Sequence, residues 1–142
     1  MDLSSPAFEA QEKIPEKHTC DGEDVSPALE IADMPDAAKS LALIVDDPDA
    51  PAKTWVHWIL YDIAPTARIE ENSAPGTQGQ NDFGKFDYGG PCPPSGTHRY
   101  SFKLYALDAE LGLDEGASKE QVEQAMEGHI LDQAELVGTY SR

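Results

Sequence analysis

Two short runs limit what this chain can become. SLALIVD, from Ser40 to Asp46, and TWVHWILYDI, from Thr54 to Ile63, are each apolar on both faces when read with a period of two. The first is too short for a comfortable helix and reads as a buried strand. The second reads as a central strand, because a strand apolar on both faces needs cover on each side. Its period places Trp55, His57, Ile59, Tyr61 and Ile63 on one face, with Val56, Trp58 and Leu60 on the other. Between the two runs stands DPDAP, Asp47 to Pro51, whose two prolines and two acids predict a turn.

The remaining elements follow from local pattern. HRYSFKLYALD predicts a strand with His98, Tyr100, Phe102, Leu104 and Ala106 facing the core and the more polar Arg99, Ser101, Lys103 and Tyr105 opposite. Shorter strands are expected at Ala28 to Ala32 and in the closing AELVGTYSR. Ser118 begins SKEQ, a capping-box pattern with Gln121. Val122, Ala125, Met126 and Ile130 form an apolar helical stripe after it, with Gly128 a mild cost inside. The first 25 residues read as polar and irregular. Ala64 to Thr97 reads as one long loop, ordered by Phe83, Phe86 and Tyr88. Helices do not separate successive strands, so the expected class is mainly β. The architecture is a two-sheet antiparallel β-sandwich with a long ordered loop and a late helix, one domain over residues 1–142.

Asp plus Glu number 27 against 10 Lys plus Arg, a net charge of -17. That surface repels phosphate backbones and anionic lipid, which argues against nucleic-acid partners and stable membrane association. It suits a solubilising surface of the kind a salty cytoplasm favours. The N-terminus has no basic segment followed by an apolar one, so a cytoplasmic location is expected. Cys20 and Cys92 form no CxxC pattern; two free thiols are the default in a reducing cytosol, and the alternative is a bridge closing a long loop, worth about 4 kcal/mol.

Asp47 ends one strand, His57 lies near the start of the next, and His98 and Tyr100 open a third. If these ends meet, they line a small pocket with a few fixed polar groups. Beside that reading stands the plainer one for each residue. Either histidine could be a hydrogen-bonded structural residue, Trp58 plain core, Asp49 an organiser of the DPDAP turn, Arg99 an ion-pair donor and Cys92 a packed thiol. The loop before His98, GGPCPPSGTHRY, is stiffened by prolines and bent by glycines, which suits a preorganised loop whose backbone N–H groups point at a ligand.

DDPDAP, WVHW and YGGPCPPSGTHRY, in that order, resemble the phosphatidylethanolamine-binding protein family, and in particular its prokaryotic Raf-kinase-inhibitor-like branch. TCDGEDVSP, Thr19 to Pro27, and the AELVGTYSR ending resemble that branch too. The resemblance implies a β-sandwich with a small anion-binding pocket at one end, taking phosphate- or carboxylate-like groups. Carried over by motif, the ligand-binding set is Asp47, Pro51, Trp55, His57, Gly90, Cys92, His98 and Tyr100, with Asp49 behind it. Cys92 departs from the second loop glycine of eukaryotic members, and their C-terminal helix is absent after Arg142. The resemblance also implies docking on a kinase or serine protease, and a homodimer. Asp47 beside an anion would hydrogen-bond a histidine, fixing its tautomer and favouring its charged form, or donate as a protonated carboxyl.

Two rival readings share these residues. A hydrolase could use Asp47, His57 and His98 for acid–base chemistry, with Cys92 as the nucleophile candidate. Two histidines and a carboxylate also match a metal triad in composition, but no HxH or HExxH spacing supports it, so neither metal nor cofactor is expected.

Overall fold

The computed structural model describes every residue from Met1 to Arg142. In chain order the elements are β1 (Asp2–Ser4), β2 (Leu29–Ala32), β3 (Ser40–Asp47), β4 (Trp55–Ile63), β5 (Arg68–Ile69), β6 (Thr77–Gln78), β7 (Thr97–Leu107), α1 (Lys119–Met126) and β8 (Ile130–Ser141). The larger sheet has the order β6-β4-β3-β7-β8 and the smaller one β1-β2-β5. All pairings within both sheets are antiparallel.

The doubly apolar β3 and β4 sit at the centre of the larger sheet because each face meets its own core. Leu41, Leu43 and Val45 of β3 join a cluster of 18 buried residues that includes Leu3, Leu29 and Ile31 from the smaller sheet. Ala42 and Ile44 face the other way, into a cluster of nine that Val122 and Met126 of α1 help close. Each such burial stabilises by roughly 1.5–3 kcal/mol for a large aliphatic side chain. β7 follows its predicted alternation, with Tyr100, Phe102, Leu104 and Ala106 all in the larger cluster.

Four local expectations give way. The first 25 residues are not merely irregular: β1 pairs with β2, and Phe8 and Ile14 are buried in the larger core. The backbone of residues 11–14 also docks on the outer edge of β8, through Gln11 N–H to Val137 O at 2.7 Å and Ile14 N–H to Thr139 O at 2.8 Å. Single apolar residues in polar surroundings carry no period, so the pattern could not reveal them. The long loop contains the two-residue strands β5 and β6. The capping box forms as read, with Ser118 and Gln121 bonded reciprocally. The helix stops at Met126, however; Gly128 has φ +79° beyond its end, and Ile130 opens β8 instead of extending the stripe.

The fourth difference bears on function. The register between β3 and β4 slips twice, between Leu41 and Leu43 and between Val45 and Asp46 of β3. At the second slip Val45 pairs with Trp58 and Asp46 with Val56, which leaves His57 as an extra residue. Val56 and Ile59 therefore sink into the smaller core and Trp58 into the larger. His57 does not share a face with Ile59 and Tyr61; the bulge turns its ring onto Tyr100, 5.3 Å away edge to face.

Candidate functional site

Asp47 and Trp55 pair across β3 and β4 at the end of the larger sheet where β7 begins. Asp47, Ala50, Pro51, Trp55, His57, Phe83, Cys92, Pro93, Pro94, His98 and Tyr100 there line one cavity of about 270 Å³. Seven of the eight expected ligand-binding residues are thus brought together. Larger clefts open elsewhere, one of about 520 Å³ beside Lys53 and Lys119. Its lysines are already engaged, Lys119 with Asp46 and Lys53 with Asp82, so it offers less unmet bonding.

Each polar group in the cavity is held from behind. His98 Nδ1 lies 2.6 Å from Asp47 Oδ2. An ionised carboxylate only accepts, so Nδ1 carries the hydrogen and Nε2 is the ring's free nitrogen. Asp47 Oδ1 accepts from the Asp49 N–H at 2.8 Å, which closes the DPDAP turn. His57 Nδ1 lies 2.6 Å from the Gly89 carbonyl, and Gly89 N–H returns a bond of 3.0 Å to His57 O. This clasp also leaves Nε2 as the free nitrogen. Burial holds the His57 pKa below its usual value, against the smaller pull of Gly89 and the Asp47 charge.

Tyr100 is 1% exposed, and its hydroxyl has no hydrogen-bond partner. The Asp47 carboxylate and the Cys92 N–H are its polar neighbours, but neither meets it in hydrogen-bonding geometry. Burial pushes its pKa well up, so the phenol stays neutral and can donate. Trp55 and Phe83 form the outer wall, their rings 5.6 Å apart, and Phe83 also packs edge-on to His57 at 5.3 Å.

Gly90 does not line the cavity. Its N–H donates to Asp24 Oδ1 at 2.8 Å, and a Cβ there would collide with His18 O and Asp24 Oδ1, so the glycine is needed for close approach to the Thr19–Pro27 region. The loop offers few donors overall: Gly89 N–H serves His57 and Gly96 N–H serves Arg142 O. The polar groups of the cavity are side chains, not a nest of backbone amides. Nor is Asp49 the organiser of the turn. Its carboxylate holds the Arg99 guanidinium at 2.8 and 2.9 Å, which lowers its pKa to about 2, while Asp47 accepts the turn's N–H.

The two thiols are not free. Cys20 and Cys92 are joined, which ties the proline loop to the TCDGEDVSP segment across 72 residues of sequence. The two segments also meet through Cys20 N–H to Pro91 O and through Asp24 to Gly90. Cys92 keeps its place in the cavity wall but loses its role as a nucleophile candidate. Phe83, Pro93 and Pro94 complete the wall; sequence marked Phe83 only as a loop anchor. No group of three His, Cys, Asp or Glu side chains is arranged to hold a metal ion. No helix is long and apolar enough to cross a membrane.

Comparison with known proteins places these features in a lineage. The sequence model of the family described as phosphatidylethanolamine-binding protein matches residues 4–141. A UPF0098 protein of Methanothermobacter thermautotrophicus is 51% identical, with 100% of this chain and 99% of that protein covered. A UPF0098 protein of Chlamydia muridarum is 49% identical over 100% and 99% of the two chains. Among solved structures, a phosphatidylethanolamine-binding protein homologue from Chlamydia trachomatis superposes with a TM-score of 0.96 at 44% identity, covering 99% of this chain and 97% of that one. Escherichia coli YbcL, described as a member of the mammalian family, gives 0.92 at 29% identity over 99% and 98%.

Proposed function

Since this chain belongs to the phosphatidylethanolamine-binding protein family, we propose that it is a binding module for a small ligand bearing a phosphate or carboxylate group, held in the cavity between Asp47, His57, His98 and Tyr100. The observation that carries this reading is the Tyr100 hydroxyl, buried and unpartnered against a cavity with two imidazoles. A buried hydroxyl left unbonded costs about 1–3 kcal/mol, and a ligand oxygen would recover it. Both imidazoles are clasped through Nδ1, so their free nitrogens need no reordering when the ligand arrives. The volume of about 270 Å³ fits a headgroup-sized molecule, not an acyl chain.

Binding without turnover is the favoured mode. Neither Ser, Thr nor Lys lines the cavity, and the one cysteine there is bonded to Cys20. Titration with inorganic phosphate, followed by NMR of the imidazole resonances, tests the reading. His57 and His98 signals should shift and saturate together; imidazole signals that stay in place at millimolar phosphate would defeat it.

A further inference from the structure

We propose that the Cys20–Cys92 bond is a thiol-exchange site: a small thiol carrying a positive charge attacks Cys20 Sγ, and Cys92 leaves as a thiolate beside Arg142. Both cysteines are exposed, and both line a cleft of about 480 Å³ that admits a reagent to the bond. The two sulfurs are not equivalent. The Arg142 guanidinium donates to Cys92 Sγ at 3.7 Å, and of the two sulfurs only this one has a cationic donor. Arg142 is fixed in that place. Its side chain donates to Asp21 Oδ1 at 2.6 Å, and its backbone exchanges bonds with Gly96 at 2.8 and 3.0 Å. Asp21 is in turn held by the Tyr140 hydroxyl at 2.7 Å.

Exchange runs faster when the departing sulfur is the better-stabilised thiolate. A guanidinium at Cys92 Sγ stabilises charge there and so directs attack to Cys20 Sγ. The incoming R–S⁻ bonds to Cys20 Sγ, the Cys20–Cys92 bond breaks, and its electron pair leaves on Cys92 Sγ. A second thiolate then attacks the R sulfur of the mixed disulfide. Cys20 leaves as a thiolate, R–S–S–R departs, and two thiols have given two electrons to the two cysteines. Other ties hold the joined segments through the step: Cys20 N–H to Pro91 O at 3.2 Å, Gly90 N–H to Asp24 Oδ1 at 2.8 Å, and the Tyr88 hydroxyl to His18 O at 2.7 Å. The sulfurs therefore stay neighbours and the bond re-forms on oxidation. Cys92 also lines the cavity of about 270 Å³, so exchange frees one stretch of its wall. Charge selects the thiol. Asp24 and Asp87 line the cleft against Lys85, on a chain of net charge -17. A thiolate that carries its own ammonium avoids the repulsion met by an anionic one.

Cysteamine and 2-mercaptoethanesulfonate test this on the intact, folded chain. Exchange is quenched with acid and the adduct located by peptide mass spectrometry. Cysteamine should label the chain while its circular dichroism stays native, with Cys20 labelled at least about fivefold over Cys92. Arg142→Gln should bring the two positions towards equal labelling. That ratio does not depend on how fast the thiol arrives, so the lost surface charge cannot mimic the effect. Rates are taken per thiolate and relative to a small neutral disulfide. On that scale cysteamine should react at least about tenfold faster than the sulfonate at about 0.05 M salt, and the gap should narrow at about 0.5 M. Labelling only in denaturing urea, or Cys92 labelled as much as Cys20 in the wild-type chain, would overturn the exchange site. A ratio unmoved by Arg142→Gln would overturn the part given to the guanidinium, and equal rates for the two thiols the charge selection. Exchange needs no anion in the smaller cavity, so its outcome is separate from that of the phosphate titration.

Discussion

Tyr100 keeps its hydroxyl buried without a partner, a liability of about 1–3 kcal/mol that the folded chain carries. Folding and binding should therefore respond to its removal in opposite directions. Tyr100→Phe should leave the denaturation midpoint unchanged or raise it, with a gain of up to about 1 kcal/mol, while phosphate affinity falls about tenfold or more. Urea unfolding and calorimetry on the same variant check both halves; a loss of stability would show that the hydroxyl has a partner in the folded chain. His57 makes a second residue-scale prediction. Its folded pKa lies below the unfolded value of 6.5 because of burial. As pH falls past that value the unfolded ring binds a proton first, so stability drops until the folded ring is charged too. Between about pH 7.5 and pH 5.5 the wild-type chain should lose more stability than His57→Gln, read as the difference in urea midpoint. At this scale Asp47, His57, His98 and Tyr100 were legible because each polar residue stands at the end of an apolar strand. Gly90 was not: its reason for being glycine is Asp24 and His18, more than 60 residues away in sequence, with |i−j| = 66 to Asp24.

The elements place the site through two departures from regularity. Strand β4 has a period-two pattern that would carry His57 to the face of Ile59 and Tyr61, and the bulge opposite Val45 and Asp46 cancels it. A bulge adds one residue without changing local composition, so no pattern in WVHW announces it. The strands themselves were readable, because β3 and β4 have two cores to fill and β7 has one larger core on its predicted face. The proline loop departs through its partner. Joined to Cys20 across 72 residues, Cys92 limits the unfolded chain, an effect of about 4 kcal/mol in the chain-entropy treatment. The paired variant Cys20→Ser with Cys92→Ser should lose about that much unfolding free energy, measured by denaturant. Two cysteines that far apart carry no distance information, which is why free thiols were the natural expectation. Helix α1 offers a calibration remote from the cavity: Ser118→Ala removes the acceptor for Gln121 N–H and should cost about 1 kcal/mol without changing phosphate affinity.

On the scale of the whole molecule, an anion must approach a chain of net charge -17. Anion sites built from Lys and Arg attract their ligand over a distance, and salt weakens them. Here no Lys or Arg lines the cavity, and Arg99, the guanidinium nearest in sequence to His98, is bound to Asp49. The long-range field therefore repels the ligand, and short-range hydrogen bonds must supply the affinity. Screening then acts with the reverse sign. At about 0.05 M salt the Debye length exceeds 10 Å and the repulsion reaches the cavity; at about 0.5 M it shrinks to about 4 Å and most of the distant carboxylates drop out. Phosphate affinity should rise about two- to threefold over that range of sodium chloride as the repulsion is screened. Calorimetry at fixed pH measures the slope. A conventional fall with salt would mean that a cation reaches the bound anion after all, and that attraction, rather than the pattern of donors and acceptors, sets the affinity.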